Sequence, residues 1–273
     1  MIVLEKGHQE LLDIPTTMDI LGIGIVSITE KNSNLIYRKG ISRSLMNDLI
    51  TLYRPDILEK KEGKLIDLLG IFTVSIHFYS FDFESIAIFY VNEKDTLTNY
   101  DVMCSVSRGL ARMYCSNATL ATINETCNKI IPSYEGLSAL FVISTTGHTL
   151  FTKIREDKVS ISKNYIQIGG FLSAILMFSN EVIGRNTGDT LQEINFENQQ
   201  FLISVKEDII FAYLLESSVK SELLKRYMDL IAEEFLDQFR ERVKNFNGDL
   251  NQFHKFESIV DKYFCLKSAH LRI

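Results

Sequence analysis

Two kinds of apolar segment recur along this chain. Leu21 to Ile28 (LGIGIVSI) is apolar on both alternating faces, and the polar turn Thr29 to Asn34 separates it from a second short strand at Leu35 to Arg38. The same hairpin returns at Ala139 to Ser144, then Thr145-Thr146-Gly147, then Thr149 to Ile154. Each hairpin leads into a helical stretch, Ser42 to Tyr53 in the first copy and Asn164 to Ile183 in the second. In the latter, Tyr165, Ile168, Phe171, Leu172, Ile175, Leu176 and Phe178 cover most of the circumference, which predicts a largely buried helix. Gly169-Gly170 inside it costs helix propensity, and a close approach to a sheet accounts for the pair.

Three further strands are expected in each copy. Phe72, Val74, Ile76 and Phe78 alternate with Thr73, Ser75 and His77, whereas Ile86 to Val91 is almost continuously apolar. In the second copy Thr190 to Phe196 and Phe201 to Val205 alternate, and Ile209 to Leu215 (IIFAYLL) is apolar throughout. Continuous apolar runs belong to strands covered on both faces, so the first and last strands of each copy lie in the middle of its sheet. Short turns force neighbouring strands antiparallel, and the strand order becomes 2-1-5-4-3, with the first helix crossing one face. Arg54 to Leu69 fits no element.

Helices must cover the other face. Val219 to Val243 reads as one, with Val219, Leu223, Tyr227, Ile231, Phe235, Phe239 and Val243 at four-residue steps. That stripe drifts by roughly 40° per step, so the two halves should face different directions. Asn245 to Asp249 (NFNGD) supplies a stop and a new start before Leu250, Phe253, Phe256, Val260 and Phe264. In the first copy Thr98 with Asp101 makes a capping box ahead of Val102, Val106, Leu110 and Met113, and a restart near Ser116 leads to Leu120, Ile123, Cys127 and Ile130. Pro132 to Gly136 (PSYEG) is the linker. The fold class is therefore α+β, with one unit over 1–131 and a second over 132–273.

Strand, strand, helix, three strands and two C-terminal helices, carried by Leu21-Gly22-Ile23-Gly24-Ile25 leading into Leu35-Ile36-Tyr37 and by Phe246-Asn247-Gly248-Asp249-Leu250 followed by Phe253, Phe256 and Ile259, resembles the longin fold. The resemblance covers nearly the whole chain and is better in the second copy. Longin and roadblock-like proteins occur in vesicle-trafficking and tethering complexes. Tandem units resemble subunits of the exchange factors that activate small GTPases. The resemblance implies a protein-interaction role, with a small GTPase or another longin- or roadblock-like chain as partner and at most peripheral membrane association through it. Fold alone does not fix function.

Composition narrows the chemistry. At 273 residues, with 46% hydrophobic and 23% charged positions, the chain has material for two cores. It contains no uninterrupted apolar run of about 18 residues, and Met1 to Asp13 carries too many charges for a secretory signal. A cytoplasmic location is expected. The net charge of -6 opposes nucleic-acid binding, and the densest basic stretch, Lys60, Lys61 and Lys64, is interrupted by Glu59 and Glu62 and reads as a solvated loop. Cys104, Cys115, Cys127 and Cys265 form no CxxC pair and read as reduced core residues.

Candidate catalytic groups are scattered. Gly22-Ile23-Gly24 lacks the third glycine of a nucleotide-binding turn. His8, His77, His148, His254 and His270 form no metal-binding cluster, and solvated imidazoles are expected. Acidic pairs such as Glu233-Glu234 and Glu207-Asp208 have no identifiable nucleophile beside them. No enzyme activity, cofactor or metal is expected. Phe78, Tyr79, Phe81 and Phe83 gather four aromatics at a hairpin end, making them the candidate partner-binding residues, unless they fold down over their own unit. Two alternatives stay open: a GAF- or PAS-type small-molecule sensor, which requires an enclosed pocket, and a purely structural oligomer.

Overall fold

The computed structural model describes residues 20–94, 96, 98–131, 133–184, 190–217 and 222–266. The chain divides between Pro132 and Ser133 into two compact units.

The first unit contains β1 (Gly22–Ile28), β2 (Ser33–Lys39), α1 (Arg43–Lys60), β3 (Gly63–Leu69), β4 (Phe72–Phe81), β5 (Glu84–Glu93), α2 (Tyr100–Cys115) and α3 (Leu120–Ile130). Its five strands form one antiparallel sheet in the order β2-β1-β5-β4-β3. The two-sided apolar run of β5 sorts by residue parity. Ile86, Ile88 and Tyr90 join a core with α2 and α3, while Ala87, Phe89 and Val91 join a separate core under α1. In β1, Ile23 and Ile25 face the α2/α3 side and Val26 and Ile28 face α1.

Gly22 and Gly24 share the parity of Val26, and their spacing reflects packing. A Cβ on Gly24 would meet the Met46 sulfur at 2.4 Å, and one on Gly22 would meet Ile41 Cγ1 at 2.4 Å and the Gly40 carbonyl oxygen at 2.7 Å. Helix α1 and the turn before it therefore lie directly on the backbone of β1.

Arg54 to Leu69, which fits no element by sequence pattern, holds the second half of α1 and all of β3. Pro55 sits inside α1 without ending it. The helix is held by Met46, Leu49, Tyr53 and Ile57 against the sheet, by the Ser42 hydroxyl accepting from Leu45 N–H, and by Arg54, which donates to the carbonyl oxygens of Thr29 and Glu30. β3 is an edge strand with little burial, so it lacks the apolar alternation that marks the others. The basic stretch is correspondingly not one loop. Lys60 ends α1, Lys61 caps it at φ 62°, and Lys64 lies in β3. The cap of α2 is Asn99, whose side chain accepts from Val102 N–H, so the start lies one residue after the Thr98 expected.

The second unit contains β6 (Leu137–Ser144), β7 (Thr149–Ile154), α4 (Val159–Lys163), α5 (Tyr165–Ser179) with a π turn over Asn180–Gly184, β8 (Glu193–Asn195), β9 (Gln199–Lys206), β10 (Ile209–Glu216), α6 (Glu222–Lys244), a 3-10 segment (Leu250–Phe256) and α7 (Glu257–Tyr263). Its sheet has the order β7-β6-β10-β9-β8, which is the order of the first unit written again. Ile209, Phe211, Tyr213 and Leu215 face α6 and α7, while Ile210, Ala212 and Leu214 face α5. The strand expected over Thr190 to Phe196 is reduced to three residues at the sheet edge.

Both halves of α6 bury their apolar stripe. Leu224, Tyr227, Ile231, Phe235 and Phe239 belong to one core, because the 3-10 segment returns over the C-terminal half and places Phe253 5.7 Å and 5.6 Å from the rings of Phe235 and Phe239. The drift of the stripe is taken up by that returning segment. Val219 lies outside the described residues.

The linker is partly structured. Tyr134 N–H donates to the Tyr263 carbonyl, and the Tyr134 carbonyl accepts from Cys265 N–H, forming a parallel bridge beside Phe264. Its ring meets Phe264 edge-on at 6.4 Å.

Gly22→Ala should lower unfolding free energy by about 1–3 kcal/mol, the range for overpacking where backbone cannot yield. Urea denaturation followed by circular dichroism measures it.

Candidate functional site

The largest departure from the expected burial is on α5. Leu172, Ser173, Leu176 and Gly169 face the sheet and are buried. On the opposite side Ile166 is 64% exposed, Met177 63% and Phe178 65%, joined by Phe171 and, in the π turn, Val182 and Ile183. The expectation of a largely buried helix is thus corrected. An apolar circumference predicts burial only if a second layer lies outside the helix, and most of the Tyr165–Gly184 stretch is not buried. By length and composition alone that stretch is also apolar enough to cross a membrane.

The paired glycines of α5 serve different sides. A Cβ on Gly169 would meet Thr149 Oγ1 at 2.4 Å, the close approach to the sheet that the sequence suggests. Gly170 faces outward, with nothing within 4 Å of the position a Cβ would take. A single apolar residue on a surface is ordinary, but a contiguous apolar helix face marks an interaction site.

The four aromatics of the first unit separate. Phe78 is fully buried in the core under α1, and Tyr79 and Phe81 pack partly buried against the α2/α3 core. Phe83, in the β4–β5 turn, is 97% exposed. The alternating strand sends successive aromatics to opposite faces, and both faces are covered by helices. Phe83 is the member of the four that a partner can reach without rearrangement.

His77 is also placed differently from the expectation. Helix α2 covers the face of β4 on which it lies, leaving the imidazole 1% exposed, edge-on to Tyr90 at 5.8 Å and with Nδ1 3.5 Å from the Cys104 sulfur. Burial, reinforced by the Lys64 charge, pushes its pKa down to about 4. A thiol beside an imidazole is a nucleophile arrangement in principle. Here the ring is sealed from solvent, and its lowered pKa makes it a weak base for the thiol. Nearby, the Tyr90 hydroxyl bonds the Ser107 hydroxyl at 2.8 Å, and that hydroxyl donates to the Met103 carbonyl at 2.7 Å. Burial raises the Tyr90 pKa far above the usual phenol value. These contacts tie α2 to the sheet.

Other candidate groups are engaged or dispersed. Glu207 accepts from the Arg240 guanidinium at 2.9 Å, which holds its carboxyl below the usual range. His148 and His254 are exposed, while His8 and His270 lie outside the described residues. None of the four cysteines is in a disulfide, and Cys127 alone among them is buried; Cys104 is intermediate and Cys115 and Cys265 are exposed, so the core reading applies to Cys127. Among the described residues no group of three or more His, Cys, Asp or Glu side chains is arranged to hold a metal ion.

No protein-family model matches the chain, and no curated protein matches it in sequence.

The His77 placement makes a pH prediction. The unfolded chain binds a proton at this residue near pH 6.5 and the folded one only near 4, so acidification favours unfolding across that window. Stability should fall by about 2–3 kcal/mol between pH 7 and 4.5. His77→Phe should remove most of that slope in paired urea titrations.

Proposed function

We propose that this chain is a non-enzymatic protein-interaction module of two tandem longin-like units, acting in the cytoplasm as a regulator of or scaffold for small GTPases in a complex of the membrane-trafficking type. The observation that carries the reading is the exposed apolar face of α5, with Ile166, Phe171, Met177, Phe178 and Val182 turned away from their own sheet. A buried core helix has no use for such a face, whereas a docking helix requires one.

The repeated strand order supports the longin part of the reading, since both units place their first and last strands centrally and cross one face with the helix after the hairpin. The non-enzymatic part is supported by the state of the ionisable groups. His77 is buried and neutral, and Glu207 is committed to Arg240. The nature of the partner, a small GTPase or another longin- or roadblock-like chain, rests on the resemblance of the fold.

The test is capture of purified small GTPases of the same organism, loaded with GDP or a non-hydrolysable GTP analogue, on the immobilised chain. Binding is expected for at least one, weakened about tenfold or more by Phe178→Glu if α5 is the contact. Phe83→Ser serves as the parallel probe of the β4–β5 turn. Absence of binding or exchange with every GTPase tried would sink the GTPase assignment.

A further inference from the structure

We infer that the groove along the outer edge of β7 takes an extended, basic peptide segment of a partner protein, which adds to the second sheet as one more antiparallel strand. This goes beyond the proposed function, because the groove does not use the outer face of α5 and its occupant is set by backbone chemistry. β7 pairs with β6 alone. The Arg155 N–H donates to the Ser138 carbonyl at one end of that ladder, and the Ser144 N–H to the His148 carbonyl at the other. Antiparallel alternation therefore turns the backbone groups of Phe151 and Lys153 towards β6, and those of Thr152 and Ile154 out to the open edge. Their N–H and C=O groups face the groove in the spacing that an added strand satisfies.

The walls and the charge define that strand. Along with β7 itself, the groove is lined by Ser162 and Tyr165 on the α5 side and by Leu250, Asn251, His254 and Glu257 on the α7 side. Its volume of about 460 Å³ falls within the range of about 300–1,000 Å³ for sites that hold a ligand. Other edges are guarded against pairing. β8 keeps three residues, and on β3 the Asp67 carboxylate accepts from the Leu68 N–H. β7 runs for six residues without proline, and its one lysine is drawn off the edge by Glu257 and Asp261. Those two carboxylates share the single ammonium of Lys153 and stay about two-fifths exposed. A residue opposite Lys153 on the added strand projects to this wall, so a lysine or arginine there meets the unbalanced negative charge. Residues opposite Thr152 and Ile154 project to the other face. There Ile154 and Tyr165 offer an apolar contact, and the Thr152 hydroxyl, buried without a hydrogen-bond partner, is matched by a hydroxyl across the strands.

The acetylated and amidated peptide Lys-Val-Lys-Thr-Lys-Val tests this on the full chain, by calorimetry and amide hydrogen exchange read by NMR at pH 8, above the ordinary imidazole range. It should bind with a Kd on the order of 100 μM or tighter and slow exchange of the Thr152 and Ile154 amides about tenfold. N-methylation of the threonine and of the valine before it removes the N–H groups that face β7 and should abolish binding. N-methylation of the lysine between them, whose N–H points away, should leave the Kd within about twofold. Glutamate in place of the lysines should weaken binding about tenfold, and Glu257→Gln should weaken the lysine peptide about threefold. No binding of the lysine peptide overturns the inference and leaves the α5 reading to GTPase capture. Equal effects of the two methylations, or unchanged exchange at Thr152 and Ile154, overturn strand addition. A glutamate peptide that binds as tightly overturns the basic character of the occupant. Slow exchange at these amides without peptide, lost on dilution of the chain, makes a second copy the occupant and overturns the partner assignment.

Discussion

The structure depends on the burial of two central strand pairs on both faces. β1 with β5, and β6 with β10, are buried at nearly every position, and each parity of their apolar side chains needs its own layer of helix. Such strands cannot lie at an edge, and a chain that writes the pattern twice must supply helices for four sheet faces. The placement of α1, α2 with α3, α5, and α6 with α7 follows from that requirement. So does the concealment of Phe78 and His77, which a single-faced sheet would have left to solvent on one side.

This constraint also explains how much was legible in the sequence. The central strands announce themselves by unbroken apolarity, and from Ile86–Val91 and Ile209–Leu215 the order of both sheets follows. Edge elements carry no such mark. β3 presents Ile66 and Leu68 about half exposed and shows no buried alternation, and β8 keeps three residues. The helix expected to stop at Tyr53 continues through Pro55 to Lys60, because the stripe of Met46, Leu49, Tyr53 and Ile57 is held by tertiary packing.

The candidate site was harder to read, for a related reason. The apolar residues of α5 are visible in the sequence, yet periodicity cannot tell a helix wrapped by protein from one with a bare outer side. Only Gly170 held a usable signal. A second glycine adjacent to Gly169 points in a direction that the sheet cannot occupy. In the first unit the aromatic cluster had the opposite fate, since strand alternation distributes Phe78, Tyr79 and Phe81 between two covered faces and leaves Phe83 outside.

Tyr134 has a practical bearing on how the protein is dissected. Its main chain is stitched on both sides to the C-terminal end of the second unit, at Tyr263 and Cys265. A fragment of that unit begun at Leu137, where the first strand opens, would omit this strap, remove one of the rings packed edge-on against Phe264 and strand two backbone partners. A self-standing half must start no later than Ser133.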